Sequence, residues 1–156
     1  MAPKDPRGGP PPGGGAREGP AIRAARARDA GAMAGVLHAW IARTPWMPKL
    51  HMLGETEGFC RSLVPGALVA ERDGVAGFLA LEGEEIVALY CRDRGTGVGR
   101  ALLERAKVGR ERLALRAFEA NGRARRFYAR EGFAEVGGTD GENEEGLPDV
   151  LMEWRR

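Results

Sequence analysis

The stretch Asp93-Arg94-Gly95-Thr96-Gly97-Val98-Gly99-Arg100-Ala101-Leu102-Leu103 sets three glycines on alternate positions between two arginines, ahead of an apolar run. Glycine lets a backbone come close to a ligand and adopt left-handed turns. The first N–H groups of a helix have no partner inside it and carry the positive end of its dipole. Together these features make an anion site, most often for phosphate. Two familiar phosphate loops do not fit. A Walker loop closes on Gly-Lys-Ser/Thr, whereas Gly99 is followed by Arg100 and Ala101. The dinucleotide pattern G-x-G-x-x-G fails at its sixth position, which is Arg100 counted from Gly95 and Leu102 counted from Gly97. Charge supports an anionic ligand all the same. Residues 92–130 hold 12 Lys and Arg against 4 Asp and Glu, a local net charge of +8 in a chain whose total is +2. Such an excess favours an anionic partner, although several of these arginines are solvated helix faces.

The elements that must position this loop follow from the spacing of apolar residues. Residues 21–29 read as a first strand, with Asp29 capping a helix over 30–43. Met33, Val36, Leu37, Trp40 and Ile41 share one face of that helix. Two prolines then break the pattern in a loop that carries Trp46, Met47 and Met52, and a short helix near 55–63 ends before Pro65. Three strands follow as a meander, with turns at Arg72-Asp73-Gly74 and around Gly83. Its third strand, 85–91, is apolar on both faces, which predicts a central, doubly covered strand. After the glycine loop come a helix from Val98 to Lys107, a strand over 112–118 and a helix capped by Asn121 and closed by Gly132. Two last strands flank an acidic loop. The strand–loop–helix–strand unit over 85–118 requires a crossover, so those two strands are expected to be parallel. The prediction is an α+β (mixed α/β) domain over residues 21–156, with helices on both faces of a mostly antiparallel sheet. Residues 1–20 hold six glycines and six prolines and almost nothing apolar. They read as a disordered tail.

Arg94-Gly95-Thr96-Gly97-Val98-Gly99 fits the [QR]-x-x-G-x-[GA] signature and so resembles the GNAT superfamily of acetyl-CoA-dependent N-acetyltransferases. The later stretch LALRAFEANGRARRFYAREGF is similar to that family's second motif, with Asn121, Ala124, Phe127-Tyr128 and Gly132-Phe133 at the matching spacing. The resemblance implies the GNAT fold, in which the strand before the loop splays from its parallel neighbour and the pantetheine arm enters the gap. It implies that backbone groups of Leu89, Tyr90 and Cys91 meet the pantetheine amides. It also implies that N–H groups of Arg94, Gly95, Thr96, Gly97, Val98, Gly99 and Arg100 hold the pyrophosphate. Asn121, a helix cap on its own reading, would also contact the cofactor. Tyr128 occupies the place of the general acid that protonates the leaving thiolate. A backbone N–H near Leu89 or Tyr90 would serve the oxyanion. Either Arg100 or Arg125 is long enough to reach a phosphate. The interval from Tyr90 to Arg94 is shorter than in many relatives, which predicts a tighter loop.

The implied activity is transfer of an acetyl group from acetyl-CoA to a primary amine by direct attack, the acceptor being a small amine or a protein amine. No general base stands out. Ala88 sits where relatives often carry one and cannot serve; Glu82, Glu84 and Glu85 cluster nearby, and His51 lies on the apolar loop. Trp46, Met47, Met52 and Phe59 suggest an apolar acceptor wall. Asp140, Glu142, Glu144, Glu145 and Asp149 would favour a cationic acceptor if their loop overhangs the site. A non-catalytic acyl-CoA sensor or regulatory module is the alternative. Few aromatic residues are available to stack bases, which argues against nucleic acid. Two cysteines far apart and two histidines make no metal set and no disulfide framework, and a reducing, bacterial cytoplasm is the expected setting. No segment reads as a secretory signal or a membrane span, and a homodimer is compatible with the family.

Overall fold

The computed structural model describes residues 19–48 and 53–156. In chain order these form β1 (Ala21–Ala24), α1 (Ala30–Ala42), α2 (Leu53–Leu63), β2 (Ala67–Glu71), β3 (Val75–Glu82), β4 (Glu85–Cys91), α3 (Val98–Lys107), β5 (Arg112–Phe118), α4 (Gly122–Arg130), β6 (Ala134–Thr139) and β7 (Asp149–Arg155). The strands make one sheet in the order β1-β2-β3-β4-β5-β7-β6, antiparallel throughout except for the parallel pair β4–β5. This is the expected α+β architecture. Leu79 of β3 packs into a core with Leu102 and Leu103 of α3 and Tyr128 of α4. Its neighbours Phe78 and Ala80 pack into a second core with Met33 and Leu37 of α1 and Cys60 of α2. Side chains alternate across a strand, so the two helix pairs cover opposite faces of the sheet. Among the described residues no helix is long and apolar enough to cross a membrane.

The central irregularity is in β4. Its pairing with β3 passes from Leu81↔Ile86 to Ala80↔Ala88, which leaves Val87 as an extra residue. A bulge of this kind bends its strand and raises its twist. The pairing of β4 with β5 holds at Glu85↔Ala114 and Ile86↔Leu115 and stops there. Beyond that point β4 follows β3 as far as Gly77↔Cys91, while β5 follows β7 as far as Phe118↔Asp149. A slot opens between them. The expectation of a doubly covered strand therefore holds only for the first half of β4. Ile86 and Ala88 are buried, whereas Leu89, Tyr90 and Cys91 are half-buried along the slot.

Two local expectations need correction. The first strand ends at Ala24, and Ala27–Asp29 form a 3-10 turn. Asp29 does not cap α1 through its side chain. Its carboxylate instead accepts from the Arg26 N–H at 2.7 Å and from both Arg23 Nη atoms at 2.8 and 2.9 Å. A buried carboxylate gains more from a bidentate guanidinium than from one backbone N–H.

Candidate active site

The direction of the backbone groups around the slot follows from the ladder. The Arg92 N–H donates to the Ala76 carbonyl at 2.8 Å. Alternation then turns the groups of Tyr90 and Ala88 toward β3, and those of Leu89 and Cys91 toward the slot. Across the gap, the Ala114 N–H donates to the Glu84 carbonyl at 2.9 Å, so Arg116 and Phe118 face the slot from β5. Of the three expected residues on β4, Leu89 and Cys91 thus offer backbone groups and Tyr90 offers its ring. A cavity of about 740 Å³ runs from the glycine loop through this slot to Trp46 and Phe118.

All the residues singled out on the glycine loop, Arg94 to Arg100, line that cavity. The alternate glycines have two separate physical reasons. Gly95 (φ +70°) and Gly97 (φ +82°) are left-handed, and Gly97 is the N-cap residue of α3. At Gly99 a Cβ would lie 3.2 Å from Phe127 Cζ and 3.5 Å from Cys91 Sγ, so bare backbone is what lets the helix start so close to β4 and α4. The loop is braced from outside. Arg72 Nη1 donates to the Thr96 carbonyl at 3.1 Å. Arg92 donates to the carbonyls of Asp73 (2.9 Å) and Arg72 (3.0 Å) and to the Asp93 carboxylate (3.0 Å). The hairpin joining β2 to β3 and the loop therefore form one polar unit.

The two candidate phosphate-reaching arginines part company. Arg125 donates to both carboxylate oxygens of Glu135, at 2.8 and 3.1 Å, and to the Glu119 carbonyl. Arg100 is largely exposed, lines the cavity and has only a loose contact with Glu131 at 3.9 Å. Asn121 caps α4, its side-chain oxygen accepting from the Ala124 N–H at 3.1 Å, and also borders the cavity.

Tyr128 is 8% exposed, packed between Phe127 and Phe133. Its hydroxyl has no hydrogen-bond partner among the described residues, although it borders the cavity. Burial pushes its pKa up, and the neighbouring Tyr90 and Cys91 push the same way. Burial likewise raises the Cys91 thiol to about 11 and the Tyr90 phenol to about 12, the latter helped by the Glu145 carboxylate. Glu145 belongs to the acidic loop. That loop is held beside β5 by the Glu119 N–H, which donates to the Pro148 carbonyl at 2.9 Å. Asp149, where the loop enters β7, is buried and structural: it accepts from the Thr139 N–H and hydroxyl, both at 3.0 Å, and from Asn143 Nδ2.

Of the suggested acceptor wall, Trp46 lines the cavity. Phe59 is 49% exposed on α2 and, like Met47, stands away from the cavity. Met52 and His51 lie outside the described residues. Glu84 is paired with Arg112 at 3.1 Å. Trp40, Phe118 and Arg43 were not picked out by the sequence as site residues. Ring contacts of 5.2, 5.9 and 5.6 Å run from Tyr90 through Trp40 and Trp46 to Phe118, bridging the two strands where backbone pairing has ceased. Trp40 carries only the helical spacing of a core residue, and its second role depends on a contact across the sheet. Among the described residues no group of three or more His, Cys, Asp or Glu is placed to hold a metal.

No family model matches the chain. Over 89 residues it is 38% identical to the peptidyl-lysine N-acetyltransferase YjaB of Escherichia coli (strain K12). That stretch is 53% of this chain and 60% of the relative, so it spans less than two thirds of that protein. The solution structure of apo-form YjaB superposes with a TM-score of 0.73 at 25% identity, covering 86% of this chain and 96% of that one. A GCN5-related N-acetyltransferase from Rhodopseudomonas palustris gives the same TM-score at 23% identity, covering 89% and 97% of the two chains. The chain has the GNAT fold. Another structure with this fold, yncA of Salmonella typhimurium solved with its cofactor acetyl-CoA, matches at a TM-score of 0.66 and 18% identity, over 88% and 94% of the chains. The splayed β4–β5 pair and the glycine loop are thus set in a GNAT fold, in the order that the two sequence motifs imply.

Proposed function

We propose that this chain is a GNAT acetyltransferase, which transfers an acetyl group from acetyl-CoA to an amine in a bacterial cytoplasm. The observation that carries this reading is the slot. It presents slot-facing backbone groups of Leu89 and Cys91, ends at N–H groups suited to a diphosphate, and has on its wall the Tyr128 hydroxyl, which has no partner among the described residues. A pantetheine arm carries amides that complete an extended backbone, and its diphosphate is an anion of the class the loop fits. Acetyl-CoA supplies the activated acyl group as a thioester. The chain's own residues would do the rest. The Leu89 N–H donates toward the thioester oxygen, where charge develops during attack. The Leu89 carbonyl and the Cys91 N–H hold the arm. Tyr128 keeps its proton through the neutral range, since its pKa is raised. It would therefore act as a hydrogen-bond donor to the departing sulfur, giving its proton to the thiolate, while the proton lost by the attacking nitrogen would return to the phenolate. The ring bridge from Tyr90 to Phe118 and the carboxylate of Glu145 would border the acceptor. A peptide lysine is the first acceptor to try, because YjaB is a peptidyl-lysine N-acetyltransferase.

Calorimetric titration with acetyl-CoA, followed by thiol release against amines and lysine peptides, tests the reading. Binding with release for some acceptors is the expected result. Absence of acetyl-CoA binding would overturn it, and binding without release from any acceptor would point to a sensor.

A further inference from the structure

The charge that holds a diphosphate need not come from the loop alone. Arg43 follows the last residue of α1, on the face of the sheet opposite α3 and α4. Its Nη2 donates to the Cys91 carbonyl at 3.1 Å. That carbonyl is one of the groups facing the slot, so the guanidinium reaches into the gap between β4 and β5 at its loop end. Its charge is felt by the Cys91 thiol, which it lowers against the upward effect of burial. A guanidinium has five N–H donors in a rigid fork, and one is used here. Arg43 has no carboxylate within salt-bridge distance among the described residues, unlike Arg23, Arg61, Arg92, Arg112 and Arg125. A positive charge is thus anchored, without a counter-charge, at the lip of the slot beside the glycine loop, in the cavity that the loop lines.

We infer that Arg43 is a cofactor-binding residue: it closes the anion site from the α1 side, so that the diphosphate lies between the glycine-loop N–H groups and the Arg43 guanidinium. The inference rests on the proposed use of acetyl-CoA. It assigns to α1 a part in cofactor binding that neither sequence motif contains. It also explains why the fork is held at Cys91, the last residue of β4, rather than paired on the surface.

The test is calorimetric titration of acetyl-CoA into the wild-type protein and into Arg43→Lys, Arg43→Gln and Arg43→Ala, at low and at moderate salt. Lysine keeps the charge, and glutamine keeps an N–H donor for the Cys91 carbonyl without it. A charge-assisted contact to a phosphate is worth about tenfold in Kd. Arg43→Ala and Arg43→Gln are each expected to bind about tenfold more weakly than wild type, with Arg43→Lys in between. Removing the charge should also flatten the salt dependence of Kd, because exposed charge contacts are screened. Wild-type affinity in Arg43→Gln would show that Arg43 is only a strut for β4 and would overturn the inference. Tighter binding in Arg43→Ala would show that the side chain obstructs the slot and would overturn it too. Failure of the wild-type protein itself to bind acetyl-CoA would instead remove the functional reading on which the inference depends.

Discussion

A buried hydroxyl without a partner is costly, on the order of 1–3 kcal/mol for the desolvated group. Tyr128 escapes part of that cost because its hydroxyl, which has no protein partner among the described residues, borders the cavity, while its ring packs against Phe127 and Phe133. Its phenol therefore contributes little to the fold and is free to meet a ligand. Tyr128→Phe separates the two roles. Turnover is expected to fall by roughly a hundredfold or more, the low end of proton-transfer assistance. Acetyl-CoA affinity should change little, and the melting temperature should not drop, because the variant removes an unsatisfied group and keeps the packing. Thiol-release kinetics beside a thermal melt check this, and wild-type turnover would show that the sulfur takes its proton from elsewhere. Tyr128 was legible in the sequence only through its motif. As a residue on an amphipathic helix it looks like core, and it is core. What could not be read is that the tip of a core side chain reaches a cavity. The same holds for Trp40 and Arg43, whose local spacing is that of ordinary helix residues and whose partners Tyr90 and Cys91 lie 50 and 48 positions away.

The elements themselves were legible where a backbone rule dictates them. The bounds expected for α3 are those found, because Gly97 must precede a helix that Val98 begins, and the crossover forced β4 and β5 parallel. The bulge at Val87 was not legible, since an extra residue in an apolar strand leaves the composition unchanged. Yet the bulge and the end of β4–β5 pairing fall at neighbouring residues, so one feature opens the slot and the helix that follows closes its end. The docking of that helix depends on β3. A Cβ at Gly77 would lie 2.9 Å from Val98 Cγ1 and 2.9 Å from the Tyr90 carbonyl oxygen. The second neighbour is backbone and cannot turn aside. Gly77→Ala should push the first turn of α3 off the sheet, at a stability cost of about 1–3 kcal/mol typical of overpacking. The loop N–H groups would move with it. Urea unfolding together with acetyl-CoA titration measures both effects. A variant of unchanged stability and affinity would show that α3 is not seated on β3 in this way.

On the scale of the whole molecule, pH reads out the two kinds of buried group that the sheet encloses. At one edge, Asp29 is held by the Arg23 fork, which pulls its carboxyl from 3.8 down to about 2. A lowered folded-state value means that the native fold favours the ionised form. The contribution, about 2 kcal/mol for a shift of this size, is complete above about pH 4 and is lost as pH falls toward 2. Around the slot and under α2 the sign reverses. Burial raises the Cys60 and Cys91 thiols to about 11, so the unfolded chain releases those protons first. Stability should therefore decline again as pH rises from about 9 to 11. Between these limbs the fold should show a broad plateau. Asp29→Asn separates the acid limb from general charge repulsion, since it removes the titrating group and leaves Arg23 with Glu71 alone. Its unfolding free energy should be lower than wild type by about 2 kcal/mol at pH 7 and converge on it near pH 2. Urea midpoints across that range decide the matter. Parallel curves for the two proteins would mean that acid unfolding is driven by net charge and that the Arg23–Asp29 pair adds nothing specific to the edge of the sheet.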